Sequence, residues 1–172
     1  MSVLYLGYYH PRYLNVLCEW AAVLRRCGCT VVERYPNRYY KESIVRELGQ
    51  RHEVITYFGH GRPGAWSAYR GITIEDWRQG HRLAQNRIVL SFSCYSLDSM
   101  NGCGLGQALL SGSLAECVLG YRGRVTYEDN LRCFMRVMGA ISATKARDYG
   151  SVVKAIVGHD ILPAQVLMRE RD

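Results

Sequence analysis

Two residues of this chain join a reactive side chain to a position that can present it: His60 and Cys94. His60 ends the apolar run Val54-Ile55-Thr56-Tyr57-Phe58-Gly59 and is followed by Gly61, while Cys94 ends Ile88-Val89-Leu90-Ser91-Phe92-Ser93. A thiol attacks as thiolate, and an imidazole within hydrogen-bond reach can take its proton and later hand it to a leaving amine. Attack on an amide carbonyl creates an oxyanion that backbone N–H groups must meet. Glycine after the histidine lets main chain come close without a clashing side chain, so the amides of Gly61 and Cys94 are the expected oxyanion donors. The pair has the layout of a cysteine–histidine hydrolase. A histidine and a cysteine drawn from any globular chain are usually a satisfied core imidazole and an inert thiol. What sets this pair apart is that each closes a run of the same kind.

Those runs are short, rich in β-branched and aromatic residues, and bounded by glycine or charge, which predicts strands buried on both faces of a parallel sheet. Parallel α/β sheets place their sites at the carboxyl edge, where both residues would stand. The rest of the chain alternates in step. Residues 2–8 read as a first strand, and His10-Pro11 opens a helix with Leu14, Leu17, Cys18, Ala21 and Leu24 at helical spacing. Cys27-Gly28-Cys29 stops that helix before a strand over 30–35, and a helix over 41–48 buries Ile44, Val45 and Leu48 and closes at Gly49. Residues 62–71 read as a Gly/Pro-punctuated loop carrying exposed aromatics beside the site, and 72–77 as either a short edge strand or the start of a helix. After Cys94 come a polar loop over 95–104, a brief helix from 105, a strand over 115–121 ending in Arg122-Gly123-Arg124, and helices at about 128–143 and 149–158. The first of these last two carries Leu131, Phe134, Met135, Met138 and Ile141 at core spacing. The pattern predicts a mostly parallel sheet with right-handed crossovers and helices on both faces. With no repeat, low-complexity tract or linker, residues 1–172 are expected to form a single domain.

Composition narrows the function classes. The net charge of +7 is spread singly or in pairs rather than in a stripe with interleaved aromatics, so nucleic acid is not an expected partner. No stretch of about 18 apolar residues or basic-then-apolar leader occurs, so neither membrane spanning nor secretion is expected. Seven cysteines, an odd number falling partly inside apolar segments, predict reduced thiols and a cytoplasmic setting. Cys27 and Cys29 lack a second pair at ligand spacing, so no metal is assigned, and no cofactor is expected.

Other candidates are weaker. His10 either lines the site or caps its loop; His52 and His81 read as surface, and His159 as the turn after the last helix. Cys103 reads as an incidental loop cysteine, with a resolving thiol as the alternative. Met100 stands where a phosphatase-type phosphate loop needs arginine, and Gly102-Cys103-Gly104-Leu105-Gly106 is not followed by Lys-Ser/Thr, which excludes a nucleotide loop.

A hydrophobic strand ending in His60-Gly61 and a second ending in Cys94 resemble the caspase-like clan of cysteine peptidases. Gly104-Leu105-Gly106-Gln107-Ala108-Leu109-Leu110 and the strand ending Gly120-Tyr121-Arg122-Gly123-Arg124 are most similar to its CHAT and gingipain branch. The resemblance covers about residues 50–158 and implies a three-layer α/β/α sandwich and an endopeptidase. It also implies His60 as general base and acid, Cys94 as nucleophile, and an oxyanion hole of the Gly61 and Cys94 amides. Phe92-Ser93-Cys94-Tyr95-Ser96 lacks the caspase signature around the nucleophile, and the interval of 94 − 60 = 34 residues is shorter than in caspases, so a true caspase is excluded. In this clan, charge at the strand ends sets specificity. Arg12 would favour an acidic partner and Asp98, Glu128 and Asp129 a basic one, the balance leaning to a basic residue before the scissile bond. The resemblance further implies a specific protein substrate and regulation by an activating partner or oligomer, with bacterial defence as the associated context. Two alternatives remain: a non-catalytic caspase-like interaction module, and a glutaminase-type hydrolase, which would need a tight elbow around Cys94.

Overall fold

The computed structural model describes residues 1–36, 38–79, 87–98, 104–158, 161 and 163–169; His81, Met100, Gly102, Cys103 and His159 lie outside the described residues. The elements are β1 (Ser2–Gly7), α1 (Pro11–Arg26), β2 (Thr30–Arg34), α2 (Lys41–Leu48), β3 (Val54–Phe58), β4 (Gly61–Arg62), β5 (Ala65–Trp66), β6 (Ile72–Thr73) and α3 (Ile74–Gln79). There follow β7 (Ile88–Phe92), α4 (Leu105–Ser111), β8 (Cys117–Gly120), α5 (Tyr127–Ala143), α6 (Tyr149–Val157) and β9 (Gln165–Met168). A six-stranded sheet has the order β2-β1-β3-β7-β8-β9, parallel except for the antiparallel edge strand β9, and β4-β5-β6 form a small second sheet.

Period-two alternation sorts the buried strand residues between two cores. Val54, Phe58, Ile88, Leu90 and Phe92 face the layer of α1, α5 and α6. Ile55, Tyr57 and Val89 face the layer of α2, α3 and α4. The α/β/α sandwich expected from the sequence is therefore present. The helices bury one stripe each: Tyr13, Leu17, Ala21 and Leu24 on α1, and Ile44 and Leu48 on α2. Pro11 opens α1 where its missing N–H costs nothing, and the His10 side chain caps that end by accepting from the Arg12 amide at 3.3 Å.

Several expectations need correction. Strand β9 was not foreseen, because Gln165-Val-Leu-Met is short, half-exposed and paired on one side only. Segment 62–71 is not an aromatic-exposing loop: it holds β4 and β5, and Trp66 and Tyr69 are buried under the α2–α4 layer. The stretch 72–77 is both alternatives in turn, with β6 running into α3. Met135 is exposed, its sulfur accepting from Trp20 Nε1 at 3.0 Å, because the stripe of α5 runs through Cys133, Phe134, Val137, Met138 and Ile141 and leaves 135 outside it. Cys18 is likewise exposed, one residue off the α1 stripe. His52 is buried rather than superficial: Nε2 lies 2.8 Å from Glu47 and Nδ1 3.0 Å from the Ser2 hydroxyl. Burial lowers its pKa more than Glu47 raises it, so it is the neutral tautomer that donates to Glu47 and accepts from Ser2.

Phe134 of α5 clamps the two strands that matter most, stacking on Phe58 at 4.8 Å and meeting Phe92 edge-on at 5.0 Å. Truncation of a fully buried phenylalanine costs about 3–5 kcal/mol. Urea unfolding of Phe134→Ala is expected to lose a stability of that order, whereas Met135→Ala on the same helix stays within about 0.5 kcal/mol of the parent; equal losses would contradict the packing described.

Candidate active site

Strands β3 and β7 pair in parallel with Phe58 opposite Phe92, and the Gly59 amide donates to the Phe92 carbonyl at 3.1 Å. His60 and Cys94 each stand two residues beyond that pair. They keep the parity of Phe58 and Phe92, which puts both on the α1/α5 side of the carboxyl edge, one strand apart. Adjacent strands lie about 4.8 Å apart.

Main chain fixes both ends. The His60 carbonyl accepts from Tyr57 Oη at 2.7 Å and from the Ser67 amide at 3.0 Å. Residues 60 and 67 thus form a hydrogen-bonded pair, and the next pair, Gly61 with Trp66, is the non-bonded kind whose N–H points out of the ribbon. Gly61 is packed so tightly on the neighbouring strand end that a Cβ would lie 2.5 Å from the Cys94 carbonyl oxygen and 2.8 Å from Ser93 Oγ. Only glycine fits there. The Cys94 amide meets no backbone acceptor among the described residues. After it the chain reverses through Tyr95 in the left-handed region (φ 59), held by a bond from its amide to the Gly123 carbonyl at 3.0 Å. Such a conformation costs a non-glycine residue about 1 kcal/mol. The strain sits on Tyr95 and not on Cys94, unlike a nucleophile elbow.

The thiol lies against the segment after β8. Cys94 Sγ accepts from the Val125 amide at 3.3 Å and is 3.5 Å from the Val125 carbonyl. The imidazole is held by rings, edge-on to Tyr8 at 4.6 Å and to Tyr13 at 5.4 Å, with Tyr13 Oη 3.5 Å from Nε2. Desolvation first, then the Arg12 guanidinium and the nearby His10, hold its pKa below the ordinary histidine value, so it is neutral near pH 7 and able to accept a proton.

Of the charged residues singled out from the sequence, Arg12 is the one whose charge acts on the imidazole. Its guanidinium lies over Tyr127 at 4.3 Å and Tyr13 at 5.0 Å and donates to Tyr13 Oη at 3.4 Å. No carboxylate among the described residues pairs with it. Glu128 is exposed on the first turn of α5, where the Asp129 carboxylate accepts from the Thr126 hydroxyl at 2.9 Å and pairs with Arg132 at 3.0 Å. Asp98 is half-buried in the turn after Cys94. His10 caps α1. Sequence reasoning missed Tyr8, Tyr13 and the Val125 amide. Tyr13 was detectable as the first member of the stripe 13-17-21-24; the Val125 contact joins residues 31 positions apart and leaves no local signal. No group of three metal-ligating side chains occurs among the described residues, and no helix there is long and apolar enough to cross a membrane.

No protein-family model and no curated protein matches the chain. Among solved structures it is similar to the Arg-specific cysteine proteinase gingipain R, with TM-score 0.71 and 13% identity over 91% of this chain and 41% of that one. It is similar too to the complex of Porphyromonas gingivalis RgpB pro- and mature domains, with TM-score 0.68 and 13% identity over 92% of this chain and 42% of that one. The chain thus spans less than half the length of either, and at this identity the likeness is one of fold: the caspase-like sandwich of these proteinases.

The Arg12 guanidinium is the charge next after desolvation in disfavouring the imidazolium of His60. In Arg12→Gln the His60 titration, followed by NMR of labelled imidazole, is expected to move to higher pH than in the parent; an unchanged or lower midpoint would place Arg12 outside the field of His60.

Proposed function

We propose that the chain is a cysteine peptidase of the caspase-like fold acting through His60 and Cys94. The observation that supports this reading is the β3–β7 register, in which Phe58 pairs with Phe92 and each strand runs on to one of the two residues, His60 and Cys94, two positions further. Sγ of Cys94 attacks the scissile carbonyl carbon while His60 takes the thiol proton. The resulting oxyanion is met by the Gly61 and Cys94 amides. Collapse breaks the C–N bond, the imidazolium gives its proton to the departing amine, and a thioester remains. Water then attacks the thioester with His60 as base, releasing the acid and restoring the thiol.

Specificity follows from which charges are uncommitted. Asp129 is occupied by Thr126 and Arg132 and Glu128 points to solvent on the first turn of α5, while Arg12, whose charge acts on His60, has no carboxylate paired with it among the described residues. This favours an acidic residue before the scissile bond over the basic one expected from the sequence. A protein substrate, and regulation by a partner or by self-association, belong to the same reading.

The test is labelling at neutral pH with a peptidyl electrophile, the modified residue located by mass spectrometry because other thiols compete. Parent protein is expected to label at Cys94, Cys94→Ala not at all, and His60→Ala about 10²–10⁴-fold more slowly. Peptides with Asp before the cleaved bond are expected to outrun those with Arg, and Arg12→Gln to remove the difference. Parent labelling indistinguishable from Cys94→Ala in folded protein would leave a non-catalytic interaction module.

A further inference from the structure

A backbone amide can serve an oxyanion only if its N–H points at the reacting group, and that direction is set one residue earlier. The peptide unit is planar and trans, so the N–H of Gly61 points opposite to the C=O of His60. Whatever holds the His60 carbonyl therefore aims the Gly61 amide. Two donors hold it, Tyr57 Oη at 2.7 Å and the Ser67 amide at 3.0 Å.

Both donors come from one side of the sheet. The Tyr57 ring belongs to the core under α2, α3 and α4, where it stacks on Trp66 at 4.6 Å, and Ser67 lies between Trp66 and Ala68, which are buried in that same core. The imidazole of His60 lies on the other side, edge-on to Tyr13 in the core that holds Phe58 and Phe92. The carbonyl of residue 60 thus turns toward the α2–α4 layer. The N–H of residue 61 must then turn toward the face of the imidazole.

The hydroxyl of Tyr57 is what packing alone does not require, since a phenylalanine ring would fill the same space against Trp66. That hydroxyl also accepts from the Ala68 amide at 3.3 Å, and it passes so close to Gly59 that a Cβ there would lie 2.9 Å from Oη. Residue 59 is glycine where the phenol needs room. Burial holds the phenol's pKa well above its ordinary value, so the hydroxyl keeps its proton and stays a donor. We propose that Tyr57 is a positioning residue of the oxyanion hole: by fixing the His60 carbonyl, its hydroxyl aims the Gly61 amide at the oxygen that becomes negative when Cys94 attacks. The inference rests on the peptidase reading for what that amide meets, and the aim itself is measured without turnover.

The experiment compares the parent, Tyr57→Phe and, as a control that loses a buried hydroxyl elsewhere, Tyr69→Phe, whose oxygen bonds the Gly7 amide and the Arg34 carbonyl. The direction of the Gly61 N–H is read from its residual dipolar coupling. The thiol is read from alkylation of Cys94 by iodoacetamide, a displacement at saturated carbon that forms no oxyanion. The hole is read from the affinity of a peptide aldehyde: Sγ adds to the carbonyl carbon, the C=O π pair moves to oxygen and His60 takes the thiol proton. Tyr57→Phe is expected to change the coupling, to weaken the aldehyde about 10²-fold and to lower kcat on a peptide substrate by the same factor with KM unmoved. Alkylation is expected to keep the parent's rate, and Tyr69→Phe to match the parent in every readout. An unchanged coupling or aldehyde affinity in Tyr57→Phe, or alkylation that falls as far as aldehyde affinity, would overturn the inference. A coupling that changes in Tyr57→Phe while the parent forms no aldehyde adduct at Cys94 would instead overturn the peptidase reading and the oxyanion role with it, keeping only the hold on the peptide.

Discussion

The parallel pairing of β3 with β7 is the constraint on which the site depends. In a parallel ladder the side-chain period is two, so a shift of one residue in the pairing would send either the imidazole or the thiol to the opposite face. The register is held from three directions: Phe58 and Phe92 are clamped by Phe134, the Gly59 amide bonds the Phe92 carbonyl, and Gly61 lies directly on the Cys94 carbonyl. The last contact tolerates no side chain, which makes Gly61 a registration point.

The small second sheet is the prop behind that point. Trp66 is wholly buried, stacks on Tyr57 at 4.6 Å and donates from Nε1 to Ser91 Oγ at 2.8 Å, and Ser91 Oγ lies 3.0 Å from Ser93 Oγ under Gly61. A buried aromatic of this size contributes several kcal/mol through area removed from water, against about 1 kcal/mol net for the hydrogen bond. Packing therefore holds the hairpin in place, and the hydrogen bond sets its orientation. Tyr57 carries the same division further: its ring packs in the core while its hydroxyl fixes the His60 carbonyl and accepts from the Ala68 amide at 3.3 Å.

What was legible in the sequence follows from range. The alternation of apolar runs and 3.6-period stripes was enough for the sandwich and for the strands β3 and β7 that precede His60 and Cys94, because strand and helix signals are local. Segment 62–71 was misread because its Pro63-Gly64 turn is a loop signal, while the burial of Trp66 and Tyr69 depends on a face of the sheet formed by residues elsewhere in the chain. Met135 was misplaced by a single helical position, an error of about 100° around the axis. The pair Tyr13 and Tyr127 around Arg12, and the Val125 amide on Sγ, exist only once α1 and α5 have packed side by side.

Arg12 gives the site its remaining tension. A cation in the first turn of α1 opposes the helix dipole at a cost of about 0.3–1 kcal/mol, and the same charge disfavours protonation of His60. Stacking on Tyr127 and Tyr13 offsets the first effect but not the second. In the acidic-substrate reading, a carboxylate bound to Arg12 neutralises the charge His60 faces and makes the imidazole a stronger base. Linkage requires the converse, so protonation of His60 draws the substrate carboxylate more tightly to the site. The full basicity of the dyad would then develop only with the correct residue in place. A guanidinium that looks costly in the free protein would thus couple recognition to proton transfer.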